Sequence, residues 1–302
     1  MKIKDILDFL YKRQIKYSLW GDEEAEILGF CSLNQPKREC LTWIKHINTF
    51  DFTALEKVSG LTVVCAFSER ALSNQINFIQ VEGDLKKIFF SILEIFFPLK
   101  KDFSSGIGSN SVVLTSKIGE NVCIGNNCNI DKDVTIEDNV MIYHHVSIEG
   151  KVSIGRDSII GSGVVIGADG FGFYVQNNGN YKRVPHYGGV RIGEHVEIGA
   201  NSCIDKGTID DTIIGNHVKI DKLVHIAHNV IVEDNVMIIG GVAVGGSCRI
   251  KKGAYIAPKS VIMNQVTIGE GSFVGMCSNV IKDVPDKVKV FGNPARIIQK
   301  LE

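Results

Sequence analysis

One histidine of the chain stands where an imidazole could act as a general base. His228 lies in the segment Ile226–Asn229, and Asp210 and Gly246 stand at equal distances before and after it in the sequence. A carboxylate can orient an imidazole and fix its tautomer, and the imidazole can then take a proton from a nucleophile. A glycine admits a substrate closely, so its backbone N–H can donate to an oxyanion. If the fold stacks these three residues, they predict acyl transfer.

A six-residue repeat supplies the fold that would stack them. An apolar residue, mostly isoleucine or valine, recurs every six positions in three runs, Val112–Ile166, Ile192–Ile204 and Ile214–Val280. A small or β-branched residue stands two positions before it, so both point to one face of a strand. Three hexapeptides make one coil, which is also the spacing that separates His228 from Gly246. This period predicts a parallel β-helix of the hexapeptide type, whose known members are left-handed.

The repeat also defines the expected domains. Many of the inward isoleucines are followed by glycine, as in Ile154-Gly155, which we attribute to the backbone conformation of a tight corner. Before the repeat, helical and strand patterns alternate, with Leu85–Phe97 read as a helix ended by Pro98 and Asn77–Val81 as a strand. The sequence therefore predicts a small α/β domain over 1–102, a β-helix over 103–290 with an inserted loop at 168–190, and a C-terminal cap with a short helix over 291–302.

Composition excludes several classes of protein. The 302 residues include 33 basic and 34 acidic side chains, a balance that argues against nucleic-acid binding by counterion release. No apolar run reaches about 18 residues, so we expect no membrane span. Asp5 and Asp8 interrupt the apolar N-terminus, which is unlike a signal peptide. The eight cysteines form no Cys-x-x-Cys pair, and we expect free thiols in a reducing cytoplasm.

Other residues leave rival functions open. Trp43 could stack on a base or belong to a core, and Phe171 and Phe173 could cover a ligand or fix the loop. A zinc-dependent lyase resembling the gamma-class carbonic anhydrases would need converging imidazoles; the candidate ligands are His217, His225 and His228. A purely structural β-helix, such as an ice-binding or assembly module, would need a regular outward ladder, commonly of threonine, and none is seen.

Several motifs resemble one family of enzymes. They are similar to those of the UDP-3-O-(3-hydroxyacyl)glucosamine N-acyltransferases of lipid A synthesis. The likeness is close over 160–246 and looser over 1–100. The matching segments are Ala168–Phe173, Gly189–Gly193, Val196–Ala200, Ile204–Thr208, Asp210–Asn216 and Ile226–Val230, with Gly29–Ser32 and Leu41–Trp43 in the N-terminal domain.

The resemblance implies a homotrimer with active sites between adjacent prisms. It implies an acyl thioester as donor, a nucleotide-linked amino sugar as acceptor, and no bound cofactor or metal. By the match of motifs, His228 would be the general base and Gly246 the oxyanion donor. The coil spacing adds Asp210 to the catalytic set, if the register holds through the irregular segment before His228. We expect the nucleotide sugar at Trp43, His225, Asn229, Phe171 and Phe173, and the donor at Gly245, Gly246 and Gln265.

Two departures from the family bear on the donor. Gln265 stands where the lipid A enzymes carry a second histidine, and Gly292–Arg296 is similar to the ending of coenzyme A-dependent sugar acyltransferases. We expect no C-terminal helical extension of the kind associated with acyl carrier protein. The leading hypothesis is therefore an N-acyltransferase that uses acyl-coenzyme A in the synthesis of a surface glycan such as lipopolysaccharide. The alternative is the lipid A enzyme itself, which uses acyl carrier protein.

Overall fold

The computed structural model describes residues 1–68, 72–98 and 105–301. The chain forms two compact units, Met1–Lys101 and Asp102–Glu302. The predicted domain boundary at residues 102 and 103 lies outside the described residues.

The N-terminal unit is built on a mixed sheet packed against helices. Within its described residues, five strands form one sheet in the order Tyr17–Trp20, Asn77–Val81, Thr62–Ala66, Cys40–Ile44, Gly29–Phe30. Only the first of them, Tyr17–Trp20, is antiparallel to its neighbour. The apolar stripes of the helices and one side of the sheet share a buried cluster, which confirms the helical spacing seen in the sequence. The elements are α1 (Ile3–Lys12), β1 (Tyr17–Trp20), β2 (Gly29–Phe30), β3 (Cys40–Ile44), a 3₁₀ turn (Ile47–Thr49), β4 (Thr62–Ala66), β5 (Asn77–Val81) and α2 (Leu85–Phe96).

The second unit is a β-helix whose strands form three sheets. In the part of the unit that is described, these sheets have seven, nine and eleven strands. The seven-stranded sheet contains Val134–Ile136, Val152–Ile154, Val190–Ile192, Thr212–Ile214, Ile231–Val232, Arg249–Ile250 and Thr267–Ile268. The nine-stranded sheet contains Val112–Val113, Asn129–Ile130, Ser147–Ile148, Val165–Asp169, Cys203–Lys206, His225–Ile226, Ala243–Val244, Val261–Ile262 and Asn279–Val280. The eleven-stranded sheet contains Gly106–Ile107, Cys123–Ile124, Met141–Ile142, Ile159–Ile160, Glu197–Ile198, Lys219–Ile220, Met237–Ile238, Tyr255–Ile256, Phe273–Val274, Val288–Gly292 and Ala295–Lys300.

Stacked ladders of aliphatic side chains fill the interior of the β-helix. From Ile124 onward, the isoleucines and valines of the six-residue series and most of the small residues two positions before them are buried together in one cluster. The predicted start of the series at Val112 is wrong, because Val112 is exposed and Val113 takes the inward position opposite Ile130. Each coil repeats the same inward positions, so equivalent side chains lie directly above one another along the parallel strands. This arrangement confirms the parallel β-helix and its inward face.

Two insertions lengthen the regular coil of three hexapeptides. Ile154 pairs with Ile192, so the intervening coil holds the predicted insertion, which includes an antiparallel hairpin of Phe173–Val175 and Tyr181–Arg183. Ile204 pairs with Ile226, where a regular coil would bring it opposite Lys222, so this coil carries four extra residues. The regular spacing returns at the pairing of Ile213 with Ile231.

The predicted C-terminal helix is wrong. Ala295–Lys300 is a strand that pairs antiparallel with Val288–Gly292. Val288–Gly292 in turn continues the parallel sheet beside Phe273–Val274. The last coil of a β-helix leaves a row of unpaired N–H and C=O groups at its edge. The hairpin supplies partners for that edge, which a short helix would not do.

The explanation offered for the glycines after the inward isoleucines is also wrong. Gly155 has an ordinary negative φ, while Asp157, two residues later, has a φ of 58°. A Cβ on Gly155 would lie 2.6 Å from the carbonyl carbon of Gly193 in the next coil. Most of these glycines therefore permit close stacking of the coils, and the left-handed conformation usually belongs to the third residue after the inward isoleucine; Gly167, with a φ of 88°, is an exception.

In the ranges that the structure covers, no helix has both the length and the apolar character needed to cross a bilayer.

Candidate active site

A cavity of about 310 Å³ opens on the β-helix at the corner that follows the strand His225–Ile226. Its walls come from successive coils and from the insertion. The lining residues are Phe171, Asp205, His225, Ala227, His228, Gly246, Ser247, Asn264 and Gln265. The cavity therefore brings together five of the residues singled out in the sequence.

The tautomer of His228 is fixed by its neighbour. Nδ1 of His228 lies 3.0 Å from Oδ1 of Asn229. The same oxygen accepts from the Thr208 N–H at 3.0 Å, and Nδ2 of Asn229 donates to the Asp210 carbonyl at 3.1 Å, which sets the orientation of the amide. An amide oxygen only accepts, so Nδ1 of His228 carries the proton and Nε2 keeps a lone pair. This arrangement suits a general base.

Gly246 lies directly against this imidazole, as the coil period predicts. His228 and Gly246 each stand two residues after a strand, and in these two strands Ile226 pairs with Val244. A Cβ on Gly246 would lie 2.7 Å from both Cε1 and Nε2 of His228. Only glycine at this position leaves the ring in place.

The backbone N–H of Gly246 is free to bind a ligand. At the equivalent position after strands of another sheet, the N–H donates to a side chain of the next coil, as Asn216 does to Oδ1 of Asp234 at 2.7 Å. The Gly246 N–H donates to no acceptor within the described ranges, and Gly246 lines the cavity. The site thus places a base and an uncapped amide donor on adjacent coils, which is the arrangement required to stabilise an oxyanion beside a proton acceptor.

The predicted position of Asp210 is wrong. The four extra residues between Ile204 and Thr212 shift the register, so counting from the pair Ile204–Ile226 puts Lys206 one coil below His228. Asp210 is exposed and lines a different groove, and it meets the site through its backbone carbonyl alone. The neutral amide of Asn229 performs the orienting role that was assigned to the carboxylate.

A second imidazole in the cavity is paired with a carboxylate. Nε2 of His225 lies 3.1 Å from Oδ2 of Asp205, and Asp205 is buried. The hydrogen bond to Asp205 raises the pKa of His225. This pair can present positive charge or a proton donor to a ligand.

Some of the remaining predicted site residues line the cavity and others do not. Phe171 lines the cavity although 86% of its surface is exposed, and Phe173 packs against it with ring centroids 4.9 Å apart without lining the cavity. Gln265 lines the cavity. Gly245 does not, because it packs against the next coil, where its Cβ would lie 2.5 Å from the Asn264 nitrogen.

Sequence reasoning missed several residues of this cavity. Asn264 lies one coil after Gly246, and Ser247 lies one coil after Asn229, so the coil period could have identified both. Asp205 lies next to the shorter insertion. His186, which contacts His228, lies in the longer one. The coil period therefore predicts the position of neither residue.

Trp43 lies in the N-terminal unit beside a separate cavity of about 500 Å³. One side of its ring is covered by Phe89, with centroids 5.9 Å apart and an interplanar angle of 25°. Oγ1 of Thr42, in the same lining, is buried and has no hydrogen-bond partner in the described structure. The walls of the cleft are aromatic and are formed by Phe30, Trp43 and Phe90, while Oγ1 of Thr42 has no surface exposed to it.

The histidines proposed as zinc ligands do not converge. His217 stacks on His195, with centroids 4.8 Å apart and an angle of 7°, and does not line the cavity that holds His225 and His228. Over the described ranges, no group of three or more His, Cys, Asp and Glu side chains is arranged to hold a metal ion.

The fold and this corner site define a hexapeptide-repeat protein. The family model of the bacterial transferase hexapeptide (six repeats) matches residues 115–150 and 133–168, a part of the β-helix. A crystal structure of a UDP-N-acetylglucosamine acyltransferase has a TM-score of 0.58 at 25% identity, covering 65% of this chain and 74% of that one.

Within that class, the sequence relatives are N-acyltransferases. The UDP-3-O-acylglucosamine N-acyltransferase of Methylorubrum extorquens (strain PA1) is 40% identical over 134 residues, 44% of this chain and 38% of the relative. The enzyme of the same name from Coxiella burnetii (strain Dugway 5J108-111) is 55% identical over 82 residues, 27% of this chain and 24% of the relative. The matches thus span well under half of either relative's length.

Proposed function

We propose that this chain is an N-acyltransferase that moves an acyl group from a thioester to the amine of a nucleotide-linked amino sugar. One observation carries the proposal: the bare Nε2 of His228 and the uncapped N–H of Gly246 face the same cavity. A base beside an oxyanion donor is what aminolysis of a thioester requires.

In the proposed reaction, the neutral amine of the sugar attacks the thioester carbonyl carbon. Nε2 of His228 accepts the proton that the amine loses, and the Gly246 N–H donates to the oxygen as it gains negative charge. The tetrahedral intermediate then collapses: the C–S bond breaks, the amide forms, and the departing sulfur takes the proton from His228. The products are an N-acylated sugar and a free thiol.

The relatives bear on the acceptor. The leading hypothesis from the sequence was an acyl-coenzyme A enzyme of surface-glycan synthesis, whereas both relatives reported above are named for UDP-3-O-acylglucosamine. Their names favour the alternative, so we propose UDP-linked 3-O-acylglucosamine of the lipid A pathway as the acceptor. The donor is a thioester of either coenzyme A or acyl carrier protein, since both present the same reacting group.

The cleft of the N-terminal unit supports a site for the nucleotide. Trp43 offers an aromatic surface on which a base can stack. Phe171, His225 and Gln265 line the cavity of the β-helix, where we propose that the sugar and the donor arm meet. We further propose a homotrimer in the cytoplasm; the eight free cysteines support a reducing compartment.

The experiment combines one acceptor series with two donors. Purified protein is incubated with UDP-3-O-acylglucosamine, or with UDP-N-acetylglucosamine, whose amine is blocked, and with either acyl-coenzyme A or acyl carrier protein carrying the same chain. We expect thiol release and an amide product with the free amine alone. The donor that supports turnover identifies the thioester source. Transfer to the blocked sugar, or no thiol release from any pair, would refute N-acyl transfer.

A further inference from the structure

The insertion places a second buried imidazole against His228. His186 is 8% exposed, and its Nδ1 lies 2.9 Å from the Val184 carbonyl oxygen. Because a carbonyl only accepts, Nδ1 carries the proton, and Nε2 of the neutral ring is an acceptor. That Nε2 is buried without any hydrogen-bond partner among the described residues. An orphaned buried acceptor costs free energy and is rare in folded proteins, so its retention calls for a reason.

His186 and Gly170 together form one wall of the His228 ring. The centroids of His186 and His228 are 5.6 Å apart, with the rings 73° from parallel. Gly170 packs against both rings: a Cβ there would lie 2.9 Å from Nε2 of His186 and 3.0 Å from Cβ and Cδ2 of His228. Gly246 contacts the Cε1 and Nε2 end of the same ring. His228 is therefore held between the insertion and the next coil.

The charged groups around this pair already have partners. Asp205 binds His225, and Asp169 pairs with Lys206 at 2.6 Å, a hydrogen bond that lowers the pKa of Asp169. Nη1 of Arg183 donates to the Gly170 carbonyl at 3.3 Å. Both carboxylates, Asp205 and Asp169, are therefore paired with other side chains. The lone pair on Nε2 of His186 carries partial negative charge and lies beside His228 without a hydrogen-bond partner.

We propose that His186 is a positioning residue for His228, an inference that rests on the proposed function. Its ring keeps the imidazole of His228 aimed at the cavity. Its unpartnered Nε2 stabilises the imidazolium that forms when His228 accepts the proton of the amine. An interaction that gains strength only as this charge appears raises the turnover rate without tightening substrate binding.

Substitutions that remove or replace the ring nitrogens of His186 test its role as a positioning residue. His186→Phe keeps an aromatic ring of similar size, and we expect kcat to fall roughly tenfold while KM stays within about twofold. His186→Gln returns an acceptor and should restore most of kcat. Tyr187→Phe, an exposed ring change at the next residue, is the matched control and should have no effect. Full kcat in His186→Phe, or no rescue by His186→Gln in a folded protein, would overturn the proposal.

A second measurement needs no turnover. In ligand-free protein, ¹⁵N resonances of the imidazoles report the tautomer and the mobility of His228. We expect the Nδ1–H tautomer in both proteins, because Asn229 still accepts from Nδ1 of His228, with His228 signals that are sharp in the wild type and broadened by ring motion in His186→Ala; an unchanged His228 spectrum would refute the positioning role. If the wild type transferred no acyl group while this spectral change occurred, the proposed function would fail and the contact between the two rings would stand.

Discussion

At the scale of single residues, a neutral amide sets up the proposed base. Asn229 holds Nδ1 of His228 and is itself held by Thr208, Thr212 and the Asp210 carbonyl. A carboxylate in this position would stabilise the imidazolium electrostatically, whereas the amide fixes the tautomer without adding charge. That difference leaves the stabilisation of the protonated ring to other groups, among which we propose His186.

Two adjacent glycines should respond differently to alanine. The added methyl of Gly246→Ala meets the end of the His228 side chain at 2.7 Å, which can move, so we expect a folded protein whose kcat falls by about tenfold or more. The methyl of Gly245→Ala meets backbone of the next coil at 2.5 Å, so we expect a loss of about 1–3 kcal/mol in the free energy of unfolding. Kinetics and denaturant melts of both variants separate the two effects. Equal losses of stability, or full activity in Gly246→Ala, would contradict the assigned contacts.

At the scale of elements, the corners of the β-helix set the rules for the sequence. The third residue after most of the inward aliphatic residues takes a left-handed conformation, and asparagine, histidine and glycine fill most of these left-handed positions. Such residues tolerate positive φ at little cost, while bulky ones do not. Leu223 is an exception, with a φ of 59° and 66% of its surface exposed.

Leu223→Gly should therefore stabilise the protein. It relieves the left-handed strain and gives up little buried surface, so we expect the free energy of unfolding to rise by about 1 kcal/mol. Leu223→Ala is the control, because it removes the side chain but keeps the Cβ that causes the strain. Thermal or denaturant melts decide the matter: a glycine variant no more stable than the alanine variant would contradict strain at this corner.

The sequence predicts those contacts that the coil period controls. The stacking of His228 on Gly246 followed from the regular spacing because no residues are inserted between them. The same arithmetic failed for Asp210, since four extra residues lie on its side of His228. His186 and the hairpin lie in an insertion without a period, and the C-terminal strand depends on an edge that exists only once the preceding coils have formed. Periodicity encodes neighbours along the solenoid, and contacts made by its interruptions need coordinates.

At the scale of the whole molecule, recognition and chemistry are assigned to different units. The β-helix holds its site on stacked coils with a continuous buried core, which suits a precisely positioned base. The N-terminal unit offers a cleft with aromatic walls, which suits a flat heterocycle. We therefore propose that the N-terminal unit binds the nucleotide and that the β-helix carries out the acyl transfer.

This division makes a kinetic prediction for Trp43. Loss of the stacking surface in Trp43→Ala should raise KM for the nucleotide sugar roughly tenfold, with kcat little changed, and Trp43→Phe should keep most of the affinity. Trp20→Ala, at the half-exposed tryptophan of β1, is the matched control because Trp20 does not line the cleft. Initial rates over a range of nucleotide-sugar concentrations give both constants. A fall in kcat with unchanged KM would contradict the assignment.

The most direct test of the account is the turnover of His228→Ala, measured as thiol release with whichever donor the wild type uses. We predict a rate roughly 10²–10⁴-fold below the wild type, with an unchanged melting curve, while His195→Ala, a histidine outside the cavity, stays near the wild-type rate. Near-full activity in a folded His228→Ala protein would show that another group takes the proton of the amine, and the proposed mechanism would be wrong.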